Sequence, residues 1–485
     1  MKNVKKILVL MCLCGLLFAV GCTATQTTAP VTTAFSTTSG DTYPATLYGR
    51  ILTDSGDMIT AGLIITNSAG DMVRLNSNIL SGYCILLEEG TYTITYVRGP
   101  EYSTYARTIT VENYKTYYLD DVRLTHLYDG TEMRWFMGDL HQHTTYSDGK
   151  QTVDDVLMSN INNGLHYGFL SDHNTAAGLA EWVQGNRFVA AYDRFGTPIL
   201  FRAIRAVEVT TDFGHFQSLG IGNVFEQADI SVLKGDDPIA DITDMMQEIV
   251  RSGGIAQVNH PFAASLLGFH YWEIVEQFDT IEIWNGLYEP NANENLAAKD
   301  KWFELLNLHA AGEIKYLPAT GGSDNHSIVG AYTARYADLS TAAGRYTDSY
   351  LRRGVYSGVP ATVLHIPGEF TEENILNAIK NGNSYMTNGP MVVATIDGIG
   401  YGETYSLDGA TTIAIDLSIF SRDPMSRINI YLNGEVAMTL DAAEGSMWYQ
   451  DAVTLPGVEA GDWIVFEVLG EEALYAITNP IFIGI

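Results

Sequence analysis

The sequence predicts a mixed α/β protein in which a central unit of alternating strands and helices lies between two all-β modules. Three observations predict this organisation. Apolar runs of strand length alternate with helical stretches across residues 130–390, which indicates a mainly parallel sheet or a (β/α) barrel. Strand-like alternation and glycine turns fill residues 43–125 and residues 391–485. The 485 residues are too many for one ordinary domain.

The first 42 residues are predicted to be a targeting segment and a linker rather than part of the fold. Lysines near the start precede an apolar run over residues 7–20, which is too short for a membrane span. Residues 1–21 resemble a bacterial lipoprotein signal with Cys22 as the lipidated residue, and an ordinary signal peptide is the alternative. Threonine-rich residues 22–42 are predicted to be a flexible tether. The protein is therefore predicted to be exported and anchored to a cell-envelope membrane through Cys22.

Residues 43–125 are predicted to form the N-terminal β-sandwich. Residues 91–97 and 108–111 alternate as strands, and Gly90 marks the turn before the first of them. The pattern resembles small modules of the carboxypeptidase-regulatory type. No catalytic cluster occurs here, so the module is predicted to pack on the central unit or to bind a ligand.

Residues 391–485 are predicted to form a C-terminal, immunoglobulin-like β-sandwich. Residues 412–417 and 427–432 alternate as strands, and residues 463–469 form another. Asn433-Gly434 is a strong signal for a tight hairpin.

Side chains that bind metals recur at the ends of the central apolar runs. Histidines at i and i+2 of an extended segment point to the same face. In barrels the chemistry lies at the C-terminal ends of the strands, where most of these side chains fall. The series comprises His141, His143 and Asp148 after the first run, Asp172, His173 and Asn174 after the second, Glu208 in the third, His215 at the fourth, His260 after the fifth, and Asp324 with His326 after the seventh.

This series resembles the polymerase-and-histidinol-phosphatase (PHP) superfamily of metallohydrolases. Residues 282–286 and Thr387-Asn388-Gly389-Pro390 look like its carbaryl-hydrolase-like subgroup. The resemblance covers residues 134–390 and implies a distorted seven-stranded (β/α) barrel, which agrees with the seven runs.

The resemblance also implies a centre of two to three divalent ions. Histidine and carboxylate ligands without a thiolate disfavour a structural zinc site and suit zinc, manganese or iron. In the implied arrangement, His141, His143, Glu208 and Asp324 hold one ion, Glu208 bridges to a second held by His215 and His260, and Asp148, His173 and His326 hold the third.

Several residues near this centre are candidates for catalysis or substrate contact. Paired ions lower the pKa of a bound water from about 15.7 toward 7, which supplies hydroxide at neutral pH. Asp172 either orients His173 or moves a proton. Asn174, Trp284 and Asn285 are candidate substrate contacts, with packing as the alternative role of Trp284.

Residues 340–367 look like an insertion that is longer than usual for the subgroup. Arg352 and Arg353 within it are predicted to contact an anionic group of the substrate. A solvated surface loop is the alternative interpretation.

Composition and motifs together favour an exported metal-dependent hydrolase of a small-molecule substrate. A net charge of −30 disfavours nucleic acid as a partner. The superfamily implies phosphoester hydrolysis, and the subgroup implies carbamate, aryl ester or amide hydrolysis as the alternative. An amidohydrolase barrel would lack the Asp172-His173-Asn174 motif, and a non-catalytic binding scaffold would normally have lost ligands.

Overall fold

The computed structural model of the chain describes most residues from Tyr43 onward. Among these residues, no helix is long and apolar enough to cross a membrane. The predicted signal segment, the tether, Cys22, Arg352 and Arg353 lie outside the described residues. The described residues are 43–78, 82–193, 199–212, 214–221, 237–263, 267–286, 293–328, 331–332, 357–409, 411–470 and 474–484.

The N-terminal module contains eight strands in two sheets. They are β1 (Ala45–Thr53), β2 (Gly62–Asn67), β3 (Met72–Asn76), β4 (Gly82–Leu87), β5 (Gly90–Val97), β6 (Tyr105–Val111), β7 (Thr116–Tyr118) and β8 (Val122–Leu124). Strand β1 pairs with β4, β7 and β8, whereas β3, β2, β5 and β6 form the second sheet in that order. Buried apolar residues from both sheets, Leu47 and Ile94 among them, form one core. The predicted strands over residues 91–97 and 108–111 are confirmed.

All seven apolar runs of the central unit form strands, as predicted. They are β9 (Trp135–Asp139), β10 (Tyr167–Leu170), β11 (Arg202–Thr211), β12 (Gly214–Leu219), β13 (Ile255–Val258), β14 (Thr280–Asn285) and β15 (Ala319–Gly322). The sheet runs through them in chain order, from β9 at one side to β15 at the other. Sequential neighbours of this kind bring the strand ends, and hence their ligands, to one edge.

Helices alternate with several of these strands, as the sequence pattern predicts. Helix α1 begins after Thr152, whose side chain accepts a hydrogen bond from the backbone of Asp155 in a capping box. The helices are α1 (Val153–Asn162), α2 (Leu179–Asp193), α3 (Pro238–Arg251), a 3₁₀ helix (Trp272–Gln277), α4 (Asn293–Ala310) and α5 (Glu372–Asn381).

The sheet is less parallel than the sequence predicts. Strand β12 runs antiparallel to both β11 and β13, whereas β9–β10, β10–β11, β13–β14 and β14–β15 pair in parallel. Only two residues separate Thr211 from Gly214, and so short a connection can join only antiparallel neighbours. The expectation of a mainly parallel sheet is therefore wrong at β12.

Two further strands follow β15 in the chain and extend the sheet beyond β9. Strands β17 (Ala361–His365) and β18 (Ser384–Thr387) pair antiparallel, and β17 also pairs with β9. The Thr362 hydroxyl bonds to both the amide and the carbonyl of Gly321 in β15, so the sheet curls back toward its first edge. The described residues contain no strand pairing that closes this curl into a barrel.

Part of the predicted insertion is a core strand rather than a surface loop. Residues 361–364 of β17 are buried between β9 and β18. Their apolar side chains belong to the protein interior, which explains why this stretch cannot be an appended cap. The remainder of the insertion, residues 340–356, lies outside the described residues.

The C-terminal strands continue the central sheet and add a second one. They are β19 (Met391–Thr395), β20 (Thr404–Ser406), β21 (Thr412–Phe420), β22 (Met425–Leu432), β23 (Glu435–Asp441), β24 (Trp448–Pro456), β25 (Trp463–Gly470), β26 (Tyr475–Thr478) and β27 (Ile481–Gly484). Strand β18 pairs with β26, which joins β25, β22 and β23, while β19, β21 and β24 form a separate sheet. The predicted hairpin at Asn433-Gly434 is confirmed, and both residues have positive φ.

Candidate metal centre

The nine predicted ligands lie in one contiguous cluster at the edge where the central strands end. His141 and His143 follow β9, His173 follows β10, and Glu208 lies inside β11. Three groups of side chains each bring their ligand atoms within 4.8 Å of one another. The groups are His141, His143, Glu208 and Asp324; His173, Glu208 and His215; and His143, Asp148, His173 and His326.

The ligand atoms of the first group are buried. The Nε2 atoms of His141 and His143 lie 3.1 and 3.2 Å from Oε2 of Glu208. The same two atoms lie 3.3 and 3.0 Å from Oδ1 of Asp324. The side chains of His141, His143 and Glu208 have no exposed surface, whereas that of Asp324 is 22% exposed.

Glu208 also faces two imidazoles outside the first group, those of His215 and His260. Its Oε1 atom, the one directed away from His141 and His143, lies 3.2 Å from Nδ1 of His215 and 3.1 Å from Nε2 of His260. A carboxylate whose two oxygens face different sets of imidazoles has the geometry required to bridge two cations.

The third group lies at the rim. Oδ1 of Asp148 lies 3.1 Å from Nε2 of His326 and 3.6 Å from Nε2 of His173. The side chains of Asp148, His326 and His173 are 61%, 35% and 20% exposed. An ion held here would therefore have direct access to solvent and substrate, unlike one in the first group.

The hydrogen-bonding state of the buried atoms tests whether a cation fits. In an apolar interior, polar atoms normally find a hydrogen-bond partner. Here seven buried atoms have none: Nε2 of His141, Nδ1 and Nε2 of His143, Oε2 of Glu208, Nε2 of His215, Nδ1 of His260 and Oδ1 of Asp324. Four of them, the Nε2 atoms of His141 and His143 with Oε2 of Glu208 and Oδ1 of Asp324, converge at nitrogen–oxygen distances of 3.0–3.3 Å. Lone pairs that converge without hydrogen bonds fit divalent cations, because a metal ion satisfies all of them at once.

The charges in the cluster are strongly coupled. Burial alone would raise the pKa of Glu208, but His141 and hydrogen bonds from neighbouring imidazoles hold that pKa well below its usual range. Burial alone would lower the pKa of His143, but Asp324 and Glu208 raise it to about 9. The carboxylates thus stay ionised and attract positive charge, which protons or metal ions can supply.

Strained backbone supports the ligand loops. Asn174, His260 and Asp324 have φ values of 54°, 24° and 48°, in the left-handed region that residues other than glycine seldom adopt. Such strain persists only where the surrounding structure imposes it, and it clusters at functional sites.

Glu282 is a supporting residue that the sequence reasoning did not assign. Its Oε1 atom lies 3.1 Å from Nδ1 of His141, and its Oε2 atom accepts hydrogen bonds from the amide of His260 and from Nδ2 of Asn285. A carboxylate behind a ligating imidazole fixes its tautomer and orientation, so Nε2 of His141 faces the cluster. A glutamate inside the fully buried β14 was the available signal.

Two buried side-chain amides, those of Asn259 and Gln217, form a hydrogen-bond network that begins at the Glu208 carboxylate. Nδ2 of Asn259 donates to Oε1 of Glu208 over 2.9 Å and to Oε1 of Gln217 over 3.2 Å. Gln217 in turn donates to the carbonyl of Leu140, one residue before the first ligand. This network ties Glu208 to the His141 loop.

The hydrogen bonds of Asp172 among the described residues go to the loop that follows His143. Its carboxylate accepts hydrogen bonds from the amide and hydroxyl of Thr144 and from the hydroxyl of Ser147. Nδ1 of His173 instead lies 2.5 Å from Oγ1 of Thr210. Asp172 therefore stabilises the loop between His143 and Asp148, with three hydrogen bonds already occupying its oxygens.

The candidate substrate contacts are largely committed to the fold. Trp284 is 1% exposed, and its ring packs on Tyr475, which agrees with the packing alternative. Asn174 exchanges hydrogen bonds with the backbone of Thr210, and Asn285 donates to Glu282.

The chain was compared with protein-family models, curated proteins and solved structures. No protein-family model matches the chain, and no curated protein matches it. A two-domain protein from Bacteroides vulgatus, containing a predicted PHP-like metal-dependent phosphoesterase, is 15% identical with a TM-score of 0.38; the match covers 72% of this chain and 95% of that one.

Two other solved structures match part of the chain. An amidohydrolase from Chromobacterium violaceum, solved with sulfate and no metal, is 20% identical with a TM-score of 0.27. A protein from Bifidobacterium adolescentis, described as a metal-dependent phosphoesterase, is 14% identical with a TM-score of 0.26. Each match covers 39% of this chain and 87% of the other. At these identities and scores, the likenesses do not establish a family for this chain.

Proposed function

We propose that this protein is a hydrolase that depends on two to three divalent metal ions, with phosphoesters as its substrates. One observation carries the proposal: four buried ligand atoms, one each from His141, His143, Glu208 and Asp324, converge without hydrogen bonds. A folded protein tolerates such a set only when another species satisfies it, since each buried polar atom left unpaired costs about 1–3 kcal/mol. Zinc, manganese and iron all suit the ligand types.

The nine ligand residues would hold the ions in three sets. His141, His143, Glu208 and Asp324 would hold the enclosed ion, with Glu208 shared with a second ion beside His215 and His260. Asp148, His173 and His326 would hold a third at the rim. Ions held there lower the pKa of water and polarise a phosphoryl or carbonyl oxygen. Glu282 and Asn259 would keep the first two sets of ligands in register.

Phosphoesters are favoured by the motif resemblance to the PHP superfamily, which also implies a PHP-type barrel for residues 130–390. Carbamates, aryl esters or amides are the second candidate. One observation favours them: among the described residues, no lysine or arginine side chain forms an ion pair with any of the nine ligand side chains. An anionic substrate would then rely on the ions for its attraction, in a chain of net charge −30.

We further infer that the mature protein begins at Cys22 and works outside the cytoplasm on a small molecule, attached to the membrane by lipid. The charged start, apolar run and Gly21-Cys22 of the sequence support this.

Hydrolysis assays test the proposed function. Chromogenic phosphomonoesters, phosphodiesters, aryl carbamates and aryl acetates would be offered to the metal-loaded protein and to its Asp324→Ala variant. Asp121→Ala is the matched control, because Asp121 pairs only with Arg50 on the surface of the N-terminal module. Phosphoester turnover that disappears in Asp324→Ala supports the proposal. Turnover confined to carbamates or acetates supports the second candidate, and turnover unaffected by Asp324→Ala would refute the site.

A further inference from the structure

The contact between the N-terminal module and helix α1 is a buried polar interface. Nη1 of Arg98 donates to the carbonyl of Ile161 over 2.9 Å and to the carbonyl of Thr60 over 2.7 Å. Ser77 and Asn162 exchange two hydrogen bonds of 3.1 and 3.2 Å, and both are buried. The module is thus fixed to the C-terminal end of this helix.

Arg98 places a positive charge at the C-terminal end of helix α1, where the helix itself has no basic residue. The last carbonyls of a helix have no partner within the helix and carry partial negative charge, which a nearby cation stabilises. The last turn of α1 contains no basic residue. A guanidinium from the N-terminal module therefore adds a cation to a helix end whose carbonyls also accept hydrogen bonds from the backbone amides of Asn163 and Gly164.

The opposite end of α1 leads directly into the rim of the metal centre. Gln151, one residue before the helix cap, donates to the carbonyls of His143 and Asn325 and accepts from the amide of Ile328. The amide of Lys150 donates to the carbonyl of His326. Gln151 and Lys150 thus join the loop that carries Asp148 to the loop that carries His326.

The module also pairs with the chain just beyond His326. Strand β16 (Ala331–Tyr332) forms an antiparallel pair with β3 of the module. The module therefore contacts the Asp148–His326 side of the centre by two routes, through α1 and through β16. The enclosed ligands on the other side are held by the central sheet and by Glu282 and Asn259.

We propose that the N-terminal β module is a positioning element for the rim of the metal centre, with Arg98 as its principal positioning residue. This inference rests on the proposed metal centre. Through α1 and β16, the module holds Asp148 and His326 at the spacing that an ion requires. Loosening the module weakens the rim ion first and leaves the enclosed ion in place.

Metal titration of the full-length mature chain tests this role. Manganese would be added to metal-free wild type, Arg98→Met and Arg98→Lys, and each binding step would be followed by calorimetry. Arg98→Met is expected to weaken the last binding step roughly tenfold, the lower end for loss of a residue that supports ligands. The first step stays unchanged, and Arg98→Lys recovers part of the loss because it keeps a cation at the helix end.

Arg107→Met is the matched control. Arg107 is an arginine of the same module that donates to the carbonyl of Asp120 within the module and lies over Tyr96 and Tyr105. Its removal should leave every binding step unchanged. Should Arg98→Met fail to fold, Ser77→Ala takes its place; it removes the hydroxyl that donates to Asn162 and accepts from the amide of Ala61.

A second readout separates positioning from general destabilisation. Hydrogen exchange in the metal-free proteins should rise in peptides covering residues 143–151 and 322–328 of Arg98→Met, but not in β13 or β14. Identical titrations and exchange in Arg98→Met and wild type would overturn the positioning role alone. Wild type that binds no manganese, zinc or iron would overturn the metal centre and this inference with it.

Discussion

Two buried glutamates in this molecule have the same charge and nearly the same burial, yet opposite surroundings. Glu467 in β25 accepts four hydrogen bonds of 2.8 Å, two at each oxygen. The donors are Lys299, Asn429, Tyr431 and Tyr475. Glu208 in β11 has one oxygen without any hydrogen bond, and it faces imidazole nitrogens that lack partners too.

The difference separates a structural charge from a binding site. Every acceptor position of Glu467 is occupied, so the protein itself compensates the cost of burial. The Glu208 cluster presents excess acceptors that only an added cation can satisfy. Burial of an ionisable residue therefore indicates little by itself, and the completeness of its hydrogen bonding distinguishes the two roles.

The largest effect should come from removing a ligand of the enclosed ion. His141→Ala is expected to lower activity about 10³-fold or more, since an ion contributes several kcal/mol of transition-state stabilisation and each ~1.36 kcal/mol is tenfold in rate. Glu467→Gln, which changes the structural cluster, should retain activity. If kcat/KM fell by comparable factors in both variants, the two clusters would not differ in their role in activity.

The next largest effect is on stability, and it should appear in the Glu467 cluster rather than in the Glu208 cluster. Lys299→Met leaves the buried Glu467 without its cation and should destabilise the protein by about 3 kcal/mol, near the lower end for a broken buried pair because three other donors remain. Urea unfolding of the metal-free protein measures this. The same variant should bind metal normally, and a loss below ~1 kcal/mol would indicate that the pair contributes little.

Metal removal should lower the stability of the protein through the Glu208 cluster and not through the Glu467 cluster. At about 100 times the dissociation constant, a bound ion adds ~2.7 kcal/mol, or roughly 5 °C in Tm. Chelation should therefore lower the Tm of wild type and of Glu467→Gln by similar amounts. In Glu208→Gln, chelation should change the Tm little, and a full wild-type response there would argue against the bridging role.

The smallest effect is the pH dependence of the structural cluster. Burial alone would raise the pKa of Glu467, but Lys299, with hydrogen bonds from Asn429 and Tyr431, lowers it below its usual 4.5. Because the folded pKa is the lower one, the stabilisation is present above about pH 4.5 and is lost as the pH falls through the folded pKa.

This can be measured as the difference in unfolding free energy between wild type and Glu467→Gln, both metal-free. The difference should shrink as the pH is lowered from about 6 to about 3. A difference that stays constant over this range would mean that Glu467 has an ordinary pKa.

The sequence predicts the central strands well because strand formation here is a local signal. Each of the seven central runs is a short apolar segment, and the ligand types appear at the ends of those segments. The hairpin at Asn433-Gly434 is equally local, because two residues determine its turn. The antiparallel β12 could also have been inferred, since the connection from Thr211 to Gly214 is too short for a crossover.

What the sequence does not reveal is which distant side chains become partners. Glu282 lies 141 positions from His141, and Arg98 lies 63 positions from Ile161. Asp172, next to His173 in sequence, bonds instead to Thr144 and Ser147. Only the folded arrangement of strands determines these pairings.

Metal stoichiometry tests the central claim most directly. Mature protein purified without chelator would be analysed for bound metals, alongside His141→Ala and Glu467→Gln. We expect two to three divalent ions per chain in wild type and Glu467→Gln, and fewer in His141→Ala. Wild type that holds no metal, and takes up none from added manganese, zinc or iron, would contradict the account.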